Sequence, residues 1–214
     1  MTIKEMHQLF RVIGQQVGMQ TIRAILPEEI DVFLNSAINE TVRTIVATNV
    51  AQGAEGKIIQ NANISPINAL RNLYTRVVTS VKIDNSDNKF QLAFDNIAMY
   101  YTGFSVNYTN NDKLYKARLV EPDELENTLN DYCNGASYDY PIVLYTNGNP
   151  STLTVYSGDK VPYSVICNFI KNPTIVSYDN KVDCDLPKYL HNEIVQLAVQ
   201  KYFNSVGSTT HNVE

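Results

Sequence analysis

The chain has 214 residues, which is enough to bury a hydrophobic core without the help of disulfides. Its 44% hydrophobic and 18% charged residues are typical of a globular protein and exclude a chain that is disordered throughout. A formal net charge of −5 lacks the basic excess that neutralises DNA phosphates, so sequence-independent binding of nucleic acid is disfavoured.

The cysteines and the N-terminal residues indicate the kind of cellular compartment in which the protein is expected. Cys133, Cys167 and Cys184 are far apart and odd in number, which favours a reducing compartment over a disulfide framework. The first residues show no continuous apolar stretch followed by a small-residue cleavage site, and no window approaches eighteen consecutive apolar residues. We therefore expect neither a signal peptide nor a membrane span.

The N-terminal part of the chain is patterned as helices. Apolar residues three and four positions apart predict a first helix over residues 3–18. A second begins at Pro27, with acidic residues in its first turn, and ends at Gly53. A third is predicted over residues 65–79, with a serine as N-cap. Its predicted inward face is Leu70, Leu73, Tyr74 and Val77.

After a polar run at 84–89 the pattern changes to short β-rich segments. Two of them, separated by residues 110–112, predict a hairpin. A short helix is predicted to start at Glu121, with Pro122 at its first position. Three further strands follow between residues 141 and 170, the first two joined by an Asn-Gly turn.

The segment CDLPKYLHNEIVQLAVQKYF, residues 184–203, is the most strongly patterned in the chain. Asp185 and Pro187 are typical of an N-cap and a first turn, which predicts a helix over 186–205. Its apolar surface is wider than one seam requires, so we expect it to touch more than one neighbour. The residues predicted to carry packing or interface contacts are Ile30, Phe33, Leu34, Ile38, Leu190, Ile194, Leu197 and Tyr202.

Helices and strands that occupy separate parts of a sequence favour an α+β fold over a doubly wound parallel sheet. The predicted fold has N-terminal helices and a long C-terminal helix packed together, with a small antiparallel strand-rich region between them. Its predicted parts are a helical core of residues 1–83 and 184–206, a strand-rich insertion at 90–180 and a flexible tail at 207–214.

No motif predicts catalysis. Cys184 and His191 are seven residues apart, or about 10 Å along a helix, which is too far for one zinc ion with bonds of about 2.0–2.3 Å. His7 and His211 are expected on the surface, and Cys133 and Cys167 are expected to be small buried hydrophobes. The acidic residues that follow Pro122 are explained by the helix dipole. We therefore predict no catalytic, cofactor-binding or metal-binding residues, and a protein that is not an enzyme.

Tyrosines are concentrated in the strand-rich half. A ring with one polar end suits a half-buried strand or a subunit interface, and stacking on single-stranded nucleic acid is the alternative. The acidic balance disfavours that alternative. These residues are Tyr100, Tyr101, Tyr108, Tyr115, Tyr138, Tyr140, Tyr145, Tyr156 and Tyr163.

Two segments carry a resemblance to a known family. LPEEIDVFLNSAINETV, residues 26–42, and the segment 184–203 resemble the opening and closing helices of head-to-tail connector (ring) proteins of tailed bacteriophages. The resemblance is to the crAss-like phages of gut Bacteroidales in particular. It covers the two ends of the chain and not the strand-rich middle.

The resemblance implies a structural virion protein at the head–tail interface, assembled in the cytoplasm of the host bacterium. The chain would form a ring, expected to be a dodecamer, through which the genome passes without sequence-specific binding. The implied partners are further copies of the chain, the portal protein and neighbouring tail or ring proteins. The alternatives left open are another tail-associated structural protein, a non-viral module that binds a polysaccharide or peptide on its tyrosine-rich sheet, and an enzyme without local motifs.

Overall fold

A computed structural model describes residues 1–16, 24–52, 68–83, 86–93, 97–108, 113–148 and 150–209, with the backbone alone at 49–52 and 207–209. Its contacts divide the chain into two compact units. The helical unit consists of Met1–Gly56, Asn61–Leu73 and Pro173–Glu214. The sheet unit consists of Lys57–Gln60 and Tyr74–Asn172.

The secondary structure follows this division. The helices are α1 (Ile3–Gln16), α2 (Pro27–Gln52), α3 (Leu125–Asn130) and α4 (His191–Thr209), and a 3-10 turn at Lys188–Leu190 precedes α4. The strands are β1 (Tyr74–Thr79), β2 (Lys89–Gln91), β3 (Ala98–Asn107), β4 (Tyr115–Val120), β5 (Ile142–Thr146), β6 (Thr152–Tyr156) and β7 (Ser164–Lys171).

The first helix of the helical unit begins with a capping box. The Thr2 backbone N–H donates to the Glu5 carboxylate at 2.9 Å, and the Glu5 N–H donates to the Thr2 hydroxyl at 3.3 Å. Each of the two side chains accepts from a backbone N–H that would otherwise be unpaired at the helix start. At the start of α2 the Leu26 N–H likewise donates to the Glu29 carboxylate at 3.3 Å. Both helix starts are therefore encoded locally.

In the helical unit α4 packs against both α1 and α2. The ring of Tyr202 lies 6.1 Å from the ring of Phe10 on α1 and 5.4 Å from the ring of Phe33 on α2, centroid to centroid. Lys201 pairs with the Glu40 carboxylate at 2.5 Å and donates to the Ser36 hydroxyl at 2.9 Å. One turn of α4 thus joins an aromatic contact with both helices to a polar contact with α2.

Side chains of α2 hold the segment that leads back to α4. The Asn35 amide and the Val176 backbone exchange two hydrogen bonds, at 2.8 and 3.0 Å. The Asp31 carboxylate accepts from the Tyr178 N–H at 2.9 Å and pairs with His7 Nε2 on α1 at 2.7 Å. Since both carboxylate oxygens are used, Asp31 joins three segments that are distant in sequence.

The strands of the sheet unit form one seven-stranded sheet in the order β1-β7-β3-β4-β5-β6-β2. All neighbouring pairs are antiparallel except β4 and β5, which are parallel and joined by the connection that contains α3. Beyond β1 the chain also pairs with β2. The Gln91 N–H donates to the Val81 oxygen at 2.8 Å, and the Ile83 N–H donates to the Lys89 oxygen at 3.0 Å. The sheet therefore curls until its two ends meet.

Alternate residues of these strands point into the curled sheet and fill it. Alternation is expected because successive side chains of a strand point to opposite faces. The resulting core consists of Phe90, Leu92, Phe104, Val106, Ala117, Val143, Leu153, Val155, Val165, Cys167 and Phe169.

The predicted fold class is wrong. The structure is a mixed α+β arrangement in which a seven-stranded sheet with one parallel pair dominates the core, where a small antiparallel region was expected. The C-terminal helix α4 has 19 residues and is shorter than α2, which has 26. Local periodicity underestimates the sheet because β2 is only three residues long and the parallel pairing joins segments that no short turn connects.

The predicted third helix is wrong over its second half. Residues 68–70 are helical, 71–73 form a turn and Tyr74–Thr79 form β1; residues 65–67 lie outside the described ranges. Leu70 and Leu73 are buried, but Tyr74 is exposed. The sequence YTRVVT is rich in aromatic and β-branched residues, which fit a pleated strand better than a helix.

The ends of the chain differ from the predictions in detail. Asp185 was expected to cap the last helix, but its carboxylate accepts from the Thr174 hydroxyl at 2.5 Å and from the Thr174 N–H at 3.3 Å. A 3-10 turn then precedes α4, so the α-helix begins at His191. The backbone of α4 continues to Thr209, and the rest of the predicted tail, 210–214, lies outside the described residues, as do 17–18 and His211.

Candidate functional site

The three thiols lie in different surroundings. Cys167 is fully buried in the core of the sheet, as predicted, and burial raises the pKa of its thiol to about 12. Burial also raises the pKa of the Cys184 thiol. The prediction for Cys133 is wrong, because this residue is exposed in the turn that follows α3. Nucleophilic attack requires the thiolate, so the raised pKa values of Cys167 and Cys184 mean that neither thiol is activated.

These surroundings predict how the thiols react. With a thiol-specific disulfide reagent at pH 8, we expect the folded protein to react quickly at one thiol, Cys133, and at all three after unfolding. The absorbance of the released chromophore gives the number of reacted thiols in the folded and in the unfolded protein. The variant Cys133→Ser should lose the fast reaction without a change in melting temperature. Fast reaction of two or three thiols in the folded protein would contradict the burial of Cys167 and the raised pKa of the partly buried Cys184.

The two described histidines are both buried. His191 donates from Nε2 to the Leu186 backbone oxygen at 2.8 Å and so closes the turn before α4. His7 was expected on the surface, but only 3% of its area is exposed, and its ring contacts Tyr178 with centroids 4.7 Å apart. Residues 3, 6, 7, 10 and 14 share one face of α1, so the spacing places His7 beside the buried stripe without deciding its burial.

The residues predicted to carry packing contacts all lie in the helical unit. Ile30, Leu34 and Ile38 of α2 and Ile194 of α4 are buried, as is Leu190 just before α4. The other three, Phe33, Leu197 and Tyr202, are partly buried. Among them the rings of Phe33 and Tyr202 are in direct contact.

The sheet unit carries a surface group of aromatic and cationic side chains, in which Tyr108 and Tyr115 are partly buried and the others exposed. The ring of Tyr115 contacts Tyr108 at 5.3 Å and Tyr138 at 6.0 Å between centroids. Lys113 Nζ lies 4.8 Å from the Tyr115 ring centre, and Lys160 Nζ lies 3.8 Å from that of Tyr138. We call these five residues the tyrosine–lysine surface. All of them except Tyr138 border a depression of about 450 Å³, to which Asn107, Asp159 and Val161 also contribute.

Local structure holds this surface in place. Tyr108 directly follows β3 and Tyr115 begins β4, so the hairpin brings the two rings together. The Tyr163 N–H donates to the Asn107 oxygen at 2.7 Å, which ties the 157–163 loop to the end of β3. That loop turns at Gly158, whose φ of +65° is rarely adopted by residues with a side chain. Lys160 is thereby held over Tyr138.

The neighbouring connection between α3 and β5 presents further tyrosines. Tyr132 and Tyr140 are 101% and 77% exposed and line a second depression of about 560 Å³. Asp131 accepts hydrogen bonds from the Cys133 and Asn134 backbone N–H groups, at 2.9 and 3.3 Å. The Asn134 carbonyl accepts from the Arg118 side chain at 2.5 Å. The connection therefore displays its rings from an anchored backbone.

The charges on the tyrosine–lysine surface are stable near neutral pH. Burial raises the pKa of Tyr108 to about 12, although the Ser157 hydroxyl opposes this shift. Hydrogen bonding and charge from Asp139 raise the pKa of Tyr138. A hydrogen bond with Tyr115 raises the pKa of Lys113. Near neutral pH, Tyr108 and Tyr138 are therefore neutral and Lys113 is protonated.

Such an arrangement is suited to recognition. Neutral aromatic rings contribute large contact areas at low entropic cost, and the lysines add charge around them. The tyrosines could be recognised in the sequence as candidate contact residues, whereas Lys113 and Lys160 could not. Their placement depends on the hairpin and on the turn at Gly158, which bring together positions 47 residues apart.

Among the described residues, no group of three or more His, Cys, Asp or Glu side chains could hold a metal ion. None of the helices within the described ranges is long and apolar enough to cross a membrane. No protein-family model matches the chain, and no curated protein matches it.

Proposed function

We propose that the chain is a non-enzymatic structural subunit of a ring in the head-to-tail connector of a tailed bacteriophage of the crAss-like type. The two segments that resemble this family, 26–42 and 184–203, contribute to α2 and α4, which pack together in the helical unit. Their contact gives the resemblance a physical basis, since the two segments form one packed element.

The observation that carries the proposal is the set of exposed tyrosines on the sheet unit. Residues 81–83 pair with β2, so part of the edge of the sheet is already occupied. We expect exposed side chains to make the contacts with a neighbour. Tyr132, Tyr138 and Tyr140 are the residue type that most often dominates such interfaces.

In a ring this surface binds a different surface of the next subunit. Heterologous contacts of this kind close into a ring when the rotation between subunits is an integral fraction of a full turn. The partners proposed are further copies of the chain, the portal protein and the adjacent tail or ring proteins. A net charge of −5 suits a channel in which DNA slides without being held.

Electron microscopy and native mass spectrometry of the purified protein, alone and mixed with the portal protein of the same phage, test the proposal. We expect closed rings, or a specific complex with the portal. A chain that stays monomeric under both conditions contradicts it. The portal is included because the subunits of a connector can stay monomeric until they assemble.

A double variant tests whether the exposed tyrosines make the contact. Tyr132→Ser with Tyr140→Ser should weaken association by about 2–4 kcal/mol in total and leave the melting temperature unchanged, because both rings are exposed. Analytical ultracentrifugation measures the association. The control is Tyr189→Ser, a 63% exposed tyrosine of the helical unit. Equal loss in the control would contradict a role specific to the sheet unit.

The depression beside the tyrosine–lysine surface favours a second function, a module that binds a small ligand. Its volume of about 450 Å³ and its lining of aromatic and cationic side chains would suit a sugar or an acidic peptide. A monomer that binds a glycan or peptide, and loses this binding in Tyr115→Ala, would establish this function in place of the ring.

A further inference from the structure

Two buried nitrogen atoms without a hydrogen-bond partner lie in residues that line the same cavity. Five buried side-chain atoms of the described residues lack a partner, and two of these are His7 Nδ1 and Arg11 Nε. Buried polar groups are nearly always paired, so two such atoms beside one cavity indicate a ligand or water that satisfies them.

The cavity lies in the helical unit and has a volume of about 150 Å³. Its lining combines two permanent cations with polar groups: Lys4, His7, Gln8, Arg11, Pro27 and Tyr178. Lys4 and Gln8 are exposed, whereas His7 is more than nine-tenths buried. The cavity therefore joins a solvent-exposed wall to a buried, polar one.

No acidic residue lines this cavity, and three carboxylates of the same unit have other partners. Asp31 accepts from His7 Nε2 and from the Tyr178 N–H. Glu29 accepts from the Leu26 N–H, and Glu5 from the Thr2 N–H. Lys4 and Arg11 form no ion pair with another described residue. The cavity thus has an excess of positive charge that the described chain does not neutralise.

The ring of His7 is fixed within this wall. Asp31 holds one of its nitrogens, and the Tyr178 ring packs against it. The same carboxylate also positions the Tyr178 backbone. Two of the lining residues are therefore held in place before any ligand arrives, which lowers the entropic cost of binding.

We infer that this cavity is a binding site for a small inorganic oxyanion of the phosphate or sulfate class. Such an ion accepts several hydrogen bonds at once, which matches an arginine fork and a lysine ammonium. Because His7 Nε2 already donates to Asp31, Nδ1 donates to the ion when the ring is doubly protonated, or accepts from a protonated oxygen of phosphate when it is not. Pro27, the first residue of α2, completes the lining of the cavity. The inference does not depend on the proposed ring.

Isothermal titration calorimetry with inorganic phosphate on the full chain tests the site, with chloride at matched ionic strength and pH as the reference. We expect saturable binding of one phosphate per chain and a melting temperature that rises with phosphate concentration. The double variant Lys4→Gln, Arg11→Gln should weaken binding roughly tenfold or more, since it removes two charge-assisted hydrogen bonds. Sulfate should compete with phosphate.

The matched control removes the same charges elsewhere in the helical unit. Arg43→Gln with Lys188→Gln changes two exposed residues that do not line the cavity, and it should keep full phosphate affinity. Lys4→Gln alone changes an exposed side chain and keeps the test valid if the Arg11 variant fails to fold. Binding that is absent, or lost equally in the control, overturns the inference, and the cavity then holds water only.

Discussion

We expect Ile194→Asp to destabilise the protein by on the order of 5 kcal/mol, which is comparable to the whole stability of a small domain. Ile194 is fully buried on α4, the helix that packs against both α1 and α2. Aspartate at this position would bury a charge without a partner, and burial of an unpaired charge is among the costliest single changes. Urea denaturation followed by circular dichroism at 222 nm measures the loss.

The matched control is Ile175→Asp. Ile175 is 76% exposed in the same unit, so the new carboxylate stays in water and the change should be within about 0.5 kcal/mol. If both variants were equally stable, α4 would not form the centre of the helical unit.

The second large effect is expected from Phe169→Ala, which should lower the free energy of unfolding by about 3–5 kcal/mol. Phe169 lies on β7 inside the curled sheet, with the ring of Tyr101 on the adjacent β3 at 6.0 Å between centroids. Its truncation leaves a cavity that the surrounding strands cannot close. Chemical denaturation of the variant and the parent protein gives the difference.

Phe203→Ala serves as the control, because Phe203 is 49% exposed and truncating it leaves no closed cavity. A cost below about 1 kcal/mol is expected there. A similarly small cost for Phe169→Ala would mean that the interior of the sheet repacks freely, which would contradict the tightly filled core.

The features that sequence reasoning predicted correctly are local. The β3–β4 and β5–β6 hairpins follow from turn residues flanked by β-rich runs, and both are antiparallel pairs in the structure. The burial of Cys167 follows from its position in an apolar run. Each depends on residues within about ten positions of one another, where spacing and residue type carry the information.

The features that it missed depend on long-range pairing. The residues of β1 fit a helical spacing, although their residue types favour a strand, and pairing with β7, about ninety residues later, stabilises the strand. His7 was misplaced because an imidazole is compatible with either surface or interior. It is buried here because Asp31 of α2 supplies an acceptor for its Nε2.

The tyrosine–lysine surface depends both on local sequence and on long-range contacts. Its aromatic content is evident from the sequence. Its geometry requires the β3–β4 hairpin, the turn at Gly158 and the connection after α3 to converge. No spacing pattern in the sequence predicts that Lys113 and Lys160 lie on the same surface.

Local sequence is enough to specify the starts of α1 and α2, the two hairpins, the lack of a basic excess and the wealth of tyrosine in the strand-rich half. Three features depend on tertiary contacts: the curled sheet of seven strands, the burial of His7 against Asp31, and the cavity that Lys4 and Arg11 line. The physical reason is the separation along the chain of the residues that interact. Turns and caps are stabilised by neighbours in the chain, whereas sheet closure and buried polar pairs gain their free energy from segments that meet only after folding.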